Sequence, residues 1–301
     1  MTSRLCVALL ALLAAPAWAQ EVPVATAAGP VAVPASPDTV AVFDLAAADA
    51  LDALGVPIAG MPADLRLPCL EDAAGAAAPV GTLFEPGHEA LAALAPDLVV
   101  AGGRSAAVVE PLGRVAPTLD MTIPAAGHAA VARERLMAYG ALFGREAEAE
   151  ALLAGFDAQL AEARAAVAGR GDALVAFVNG GRLSACGGGS RFGWLHEALG
   201  IPEAVEGLEA GTHGEAVSFE FLREADPDWL LVIDRGAAIG EAGEAAAVLD
   251  NPVVAETTAW REGQVVYLDP ARIYLANGGI QSMTGTLDEI VEAFGAGPAE
   301  G

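Results

Sequence analysis

The stretch Glu89 to Arg104, EALAALAPDLVVAGGR, returns at Glu220 to Arg235 as EFLREADPDWLLVIDR, 131 positions on (220 − 89) and without a gap. Glu89 falls on Glu220, Pro96-Asp97 on Pro227-Asp228, and Arg104 on Arg235. Each copy reads as a short helix stopped by proline, whose ring and missing N–H end helices. Pro-Asp then turns the chain into an apolar run, Leu98 to Ala101 in one copy and Leu230 to Ile233 in the other. So short and apolar a run predicts a parallel strand covered on both faces. An arginine follows each strand at its carboxyl end, where open α/β sheets bind ligands. The pattern predicts two Rossmann-like α/β lobes, each offering an arginine at its strand tips. A single α/β domain with a chance match is the plainer reading; the ungapped Glu, Pro-Asp and Arg weigh against it.

The bulk composition fits that size. The chain has 301 residues, room for one large or two medium domains, and 54% hydrophobic residues, which argues against disorder. Acids number 40 against 15 basic residues, all of them arginine, for a net charge of −25. That balance disfavours nucleic acid and anionic membranes as partners. It also makes an arginine in a cleft conspicuous.

Residues 1–19 read as a secretory signal, with Arg4, an apolar core from Val7 to Ala15, and a small-x-small site at Ala17-Trp18-Ala19. Export to a Gram-negative periplasm is expected, without a direct membrane anchor, because Cys6 precedes the apolar core and does not lie at the cleavage site. Cys69 and Cys186 do not make a disulfide framework. Residues 20–37, rich in Pro, Ala and Val, read as an extended tether. Residues 38–143 form the first lobe, 144–170 a connecting helix of good helix formers, and 171–301 the second lobe. A loop is expected over Ile273 to Gly279 and a closing helix over Gln281 to Phe294.

Enzyme motifs are absent: the chain has no G-x-S-x-G elbow, no H-E-x-x-H and no phosphate loop. Gly187-Gly188-Gly189-Ser190 lacks the lysine of a phosphate cradle and reads as a turn. Three arginines stand at loop–strand junctions: Arg104 in GGRS, Arg191 in GSRFG and Arg235 in IDRG. Arginine offers oxygen acceptors a planar fork of donors, so three on facing lobes would make an anion site. The alternative is that each pairs with a local acid. His213 in GTHG and Tyr274 in IYLANGG sit in glycine-flanked loops; alone, one reads as an exposed loop histidine and the other as a packed aromatic. Both side chains are acceptable donors to Fe(III).

These stretches carry a resemblance. PDLVVAGGRS with VAPTLDMT, GSRFGWLHEALG, GTHGEAVSFEFL, PDWLLVIDRG, VVYLDP and YLANGG resemble, in order, the class III periplasmic substrate-binding proteins of ABC importers. The likeness is to the group that binds Fe(III)–catecholate siderophores of the enterobactin and petrobactin type. It implies two lobes joined by a long α-helix, with the ligand between them. It implies that Arg104, Arg191 and Arg235 contact catecholate oxygens, and that His213 and Tyr274 ligate iron. Glu89 and Glu220 are the implied docking residues for an inner-membrane ABC permease. Iron would arrive only as its siderophore complex, with no intrinsic cofactor and no catalysis. A departure from the family is Cys186, in the glycine loop near Arg191, where it is expected to alter the cleft wall. Haem remains an alternative ligand, since His and Tyr are also its axial ligands. A metal-dependent enzyme remains an alternative of another class.

Overall fold

The computed structural model describes residues 21–63, 67–209, 211 and 213–295. The expected signal at 1–19 lies outside them. Among the described residues no helix is long and apolar enough to cross a membrane.

Two five-stranded sheets organise the chain. The first runs β5 (Ala78–Pro79), β4 (Gly60–Met61), β3 (Val40–Val42), β6 (Leu98–Ala101) and β7 (Thr118–Asp120), all parallel. The second has the corresponding order: β10 (Glu215–Ala216), β9 (Arg182–Cys186), β8 (Ala173–Asn179), β11 (Trp229–Asp234) and β12 (Val265–Tyr267). Here β8, β11 and β12 are parallel, but β9 runs antiparallel to β8. The cause is local. Only Gly180 and Gly181 separate β8 from β9, with φ of 55° and 69°, so the chain reverses in a two-residue hairpin.

The repeat is built as its sequence predicts. Helix His88–Leu94 precedes β6 and helix Phe219–Ala225 precedes β11, with starts and ends both offset by 131 (219 − 88, 225 − 94). Each helix ends on a left-handed non-glycine residue, Ala95 at φ 48° and Asp226 at φ 41°. Such a residue costs roughly 1–2 kcal/mol, and both copies carry it at the bend before Pro-Asp. The strands are covered on both faces. Leu98 and Val100 join one apolar cluster and Val99 and Ala101 another. Leu231 and Ile233 are split from Leu230 and Val232 in the same way.

Between the sheets come helices His128–Phe143 and Glu146–Val167, the second 22 residues long. The long helix is not a free strut: it packs along His128–Phe143 and along the closing helix Ile280–Gly295.

The expected tether over 20–37 is instead an ordered hairpin from residue 21 on. β1 (Glu21–Thr26) pairs antiparallel with β2 (Gly29–Pro34). Val24 and Val33 are buried on one face of it, and prolines are tolerated because both strands of a two-stranded ribbon are edges. The hairpin is fastened to the first lobe: Ala27 N–H donates to Asp120 O at 2.8 Å, and the Arg135 guanidinium donates to Ala25 O. Composition pointed to a linker; the alternating valines were the signal for a strand.

Candidate ligand-binding cleft

Each singled-out side chain is placed by its local fold. Arg104 follows β6 on the 3₁₀ turn Gly103–Val108. Gly102, at φ 153°, makes that turn possible: a Cβ there would lie 2.5 Å from Thr122 N. Arg191 leaves the turn at the end of the glycine loop, which is braced where Gly188 N–H donates to Glu203 Oε2 at 2.8 Å. Arg235 opens the helix Arg235–Ala238 directly after β11. His213 precedes Gly214, whose φ of 73° and tight seat against Ala185 and Cys186 turn the chain sharply.

Tyr274 departs from its expected loop. It lies on a single wide turn of π-helix, Ala271–Leu275, which often marks functional positions. Asn277, just beyond that turn, anchors it, accepting from Trp194 Nε1 at 2.9 Å and donating to Arg191 O at 2.8 Å. Trp194 and Arg191 therefore belong to the same braced unit as Tyr274.

The other four residues converge on Tyr274. Arg104 Nη2 and Arg191 Nη1 donate to its carbonyl oxygen at 2.9 and 3.1 Å. Their guanidinium carbons also sit 4.1 and 4.5 Å from its ring centroid. Arg235 Nε donates to Tyr274 Oη at 3.3 Å, and His213 Nε2 lies 3.3 Å from the same oxygen. Arg104 comes from the first lobe and the other four from the second, so the cluster spans the lobe boundary. Arg104, Arg191, His213 and Tyr274 line a cavity of about 410 Å³. Arg235 is not on that wall; it stands behind Tyr274, with its Nη1 on Asn179 Oδ1 at 3.2 Å.

The charge here is uncompensated. Among the described residues none of the three arginines pairs with a carboxylate, in a chain with 40 acids. Arg104 Nε and the Nε and Nη2 of Arg191 are buried without any hydrogen-bond partner. Leaving such donors unmade is costly, and an oxyanion in the cavity would satisfy them. Burial, then the neighbouring Arg104, pushes Arg191 down to about 10, so it stays charged at neutral pH. Burial alone would raise the Tyr274 phenol, but the combined arginines outweigh it and hold the phenol below its ordinary value. Burial and then Arg191, Arg235 and Arg104 depress His213, which favours its neutral imidazole.

The spacing of these two donors suits a metal. Metal–N and metal–O bonds of about 2.0–2.2 Å put adjacent donors of an octahedral ion about 3 Å apart, close to the observed 3.3 Å. Among the described residues no three His, Cys, Asp or Glu side chains gather into a metal site. An ion held here would need most of its donors from its own ligand.

The family profile described as periplasmic binding protein matches residues 40–271. The chain belongs to that family. It is 34% identical over 266 residues to the petrobactin-binding protein YclQ of Bacillus subtilis, covering 87% of this chain and 84% of the relative. It is 33% identical to the ferric-anguibactin-binding protein FatB of Vibrio anguillarum, covering 86% and 83%. The crystal structure of YclQ superposes with a TM-score of 0.88 at 32% identity, over 91% of this chain and 99% of that one. The periplasmic catecholate-siderophore binding protein VctP of Vibrio cholerae gives a TM-score of 0.84 at 28% identity, over 90% and 99%.

As in other periplasmic binding proteins, two α/β lobes face each other across a cleft, but three features of this one were not foreseen. Cys186 is buried beneath Gly214, away from the cavity, and neither it nor Cys69 is paired. Burial pushes its thiol up to about 12, so it is a neutral packing group. His128, the first residue of its helix, is 4% exposed and lines the cavity. Asp44 also lines it. It lies two residues past β3, at the N-cap of helix Leu45–Ala53, and no local sequence pattern marks it as part of the lining. Glu89 and Glu220 are not part of the cavity lining; both are exposed at the second position of their helices.

Proposed function

We propose that this periplasmic binding protein captures a ferric catecholate siderophore between its lobes and delivers it to an inner-membrane ABC importer. The observation that carries the reading is the convergence of Arg104, Arg191, Arg235, His213 and Tyr274 on one point, with buried guanidinium N–H groups left without acceptors. A ferric catecholate is an anion dense in oxygen acceptors, the ligand such donors require. The naming of YclQ, FatB and VctP for siderophores supports the same reading.

Arg104 and Arg191 hydrogen-bond the catecholate oxygens. Arg235 acts at the same site through Tyr274 Oη, favouring the phenolate. When the siderophore fills only four positions of the iron, His213 Nε2 and Tyr274 Oη take the remaining adjacent pair. No bond is made or broken in the ligand. The division into lobes 38–143 and 171–301 around 144–170 goes with this reading, as does export through the leader at 1–19. Glu89 and Glu220 present the loaded protein to the permease: they occupy equivalent, exposed positions on the two lobes, as paired docking contacts require.

Fluorescence-quench titration tests the capture step. Trp194 is bonded to Asn277 on the cavity wall and reports on the site. Ferric catecholates should quench it saturably, whereas haemin should not compete at equal concentration. Saturable haemin binding with no response to ferric catecholates would replace this reading with a haem carrier.

A further inference from the structure

The cavity is not cationic all round. Asp44, two residues past β3 and at the N-cap of helix Leu45–Ala53, lines it and is 7% exposed. Its Oδ1 caps the helix, accepting from Ala46 N and Ala47 N at 2.8 and 3.1 Å. Capping uses that oxygen alone. Among the described residues Oδ2 accepts no hydrogen bond, and it sits beside the cavity-lining glycines: a methyl on Gly102 would lie 2.7 Å from it. Arg135 is near enough to act on it through space, yet donates to Ala25 O and Thr122 O, and no ion pair joins it to Asp44. An unpaired carboxylate oxygen that borders the cavity is open to a donor from a ligand. It is also out of place in a pocket for a simple anion.

A second acceptor stands nearby. His128 Nδ1 is 3.1 Å from Pro124 O, and because a carbonyl only accepts, Nδ1 carries the proton. Nε2 then holds a lone pair; it makes no hydrogen bond of normal geometry among the described residues, though the Asn277 backbone lies close enough to act on the ring. A Cβ on Gly278 would meet both His128 Nε2, at 3.3 Å, and Ala46 Cβ, at 3.7 Å, so His128 and the Asp44 turn are neighbours. The cavity thus has donors at the Arg104–Arg191–Tyr274 end and unfilled acceptors on the first-lobe wall. Apolar Phe43, Leu45, Ile123 and Leu275 also line it.

We propose that Asp44, seconded by His128, recognises a protonated amine in the linker of the siderophore, while the arginine end holds its ferric catecholate head. The inference rests on the functional reading above and narrows it to siderophores whose chelating arms are joined through an amine-bearing chain. Burial first, with the Asp120 charge adding to it, pushes the Asp44 carboxyl up to about 6 against its two backbone hydrogen bonds. An ammonium beside it reverses that cost.

The test uses two synthetic ferric bis-catecholates of equal linker length, one with a secondary amine at the middle of the linker and one with an ether oxygen there. Both are titrated by fluorescence quenching against wild type and Asp44→Asn at pH 7.5. Asparagine caps a helix as well as aspartate does, and a melting curve checks that the variant is folded. Wild type should prefer the amine complex by at least about tenfold, the order of one charge-assisted hydrogen bond. Asp44→Asn should shrink that preference to less than about threefold. Equal binding of the two complexes by wild type, a comparison that needs no variant, overturns the proposal. So does a preference that survives in Asp44→Asn. If neither complex binds wild type, the functional reading itself fails and this inference falls with it.

Discussion

At the scale of the residue, the cleft is a problem of unpaired charge. Arg104 and Arg191 are half-buried, without carboxylate partners, and hold donors that nothing in the protein accepts. A ligand that satisfies them gains roughly 1.5–3 kcal/mol per charge-assisted bond. Arg104→Ala and Arg191→Ala should therefore each weaken ferric catecholate binding at least about tenfold, as quench titration will measure. Wild-type affinity in both variants would place the ligand elsewhere. Arg235 touches Tyr274 Oη and is absent from the cavity wall, so Arg235→Ala should show its effect as a rise in the phenol's pKa, read by ultraviolet titration of Tyr274. His213→Ala with Tyr274→Phe should lose much affinity for tetradentate ferric bis-catecholates and little for hexadentate complexes, which leave the iron no open position. Equal losses for both would mean that the pair shapes the cavity without ligating iron. The five residues were legible because glycines beside an arginine, a histidine or a tyrosine at strand tips are a local pattern. Asp44 and His128 were not, because what makes them notable is an unfilled lone pair, and that depends on which neighbours the fold brings up.

At the scale of the element, short segments hold this site in place. The π turn carrying Tyr274 leads into Gly278 and Gly279, which pack against Ala46 and Asp49 of the first lobe. Asp49, fully buried, then accepts from Gln281 N, Ser282 N and Ser282 Oγ at 2.8, 2.9 and 2.7 Å. A first-lobe carboxylate thereby caps the closing helix of the second lobe, where the helix dipole and free N–H groups favour an anion. Burial nevertheless pushes Asp49 up to about 6, against those hydrogen bonds. With a folded pKa above the unfolded value, the native state binds more protons between about pH 4 and 6. The Asp49 contribution to stability is thus fully present below about pH 4 and lost as pH rises through about 6. Urea melts of wild type and Asp49→Asn at pH 4.5 and 6.5 should show a smaller acid-side gain in the variant; identical pH dependence would contradict the assignment. The connecting helix expected over 144–170 is found at Glu146–Val167, because its run of good helix formers and the glycine before it are local signals. The hairpin Glu21–Pro34 was missed because its prolines and alanines outweighed its alternating valines, and the contacts that fasten it, with Asp120 and Arg135, lie about a hundred residues away in the chain. The π turn was missed because a hydrogen bond from Ala276 N to Ala271 O leaves no composition signature.

At the scale of the whole molecule, the repeat that revealed two lobes also orders their outer surface. Glu89 and Glu220 hold the second position of equivalent helices that end on equivalent left-handed residues. Reversing both charges should abolish siderophore-dependent iron uptake in cells while leaving the affinity of the purified protein unchanged. Normal uptake would remove the docking role, and lost affinity would show that the two residues support the cleft instead. The cleft between the lobes decides the account as a whole, and one measurement bears on it most directly. That measurement is the anomalous iron map of the protein crystallised with a tetradentate ferric bis-catecholate. The account predicts a single iron peak within bonding distance of both His213 Nε2 and Tyr274 Oη, with catecholate oxygens on Arg104 and Arg191. An iron peak outside this cavity, or ligand bound with its oxygens turned away from the arginines, would contradict it.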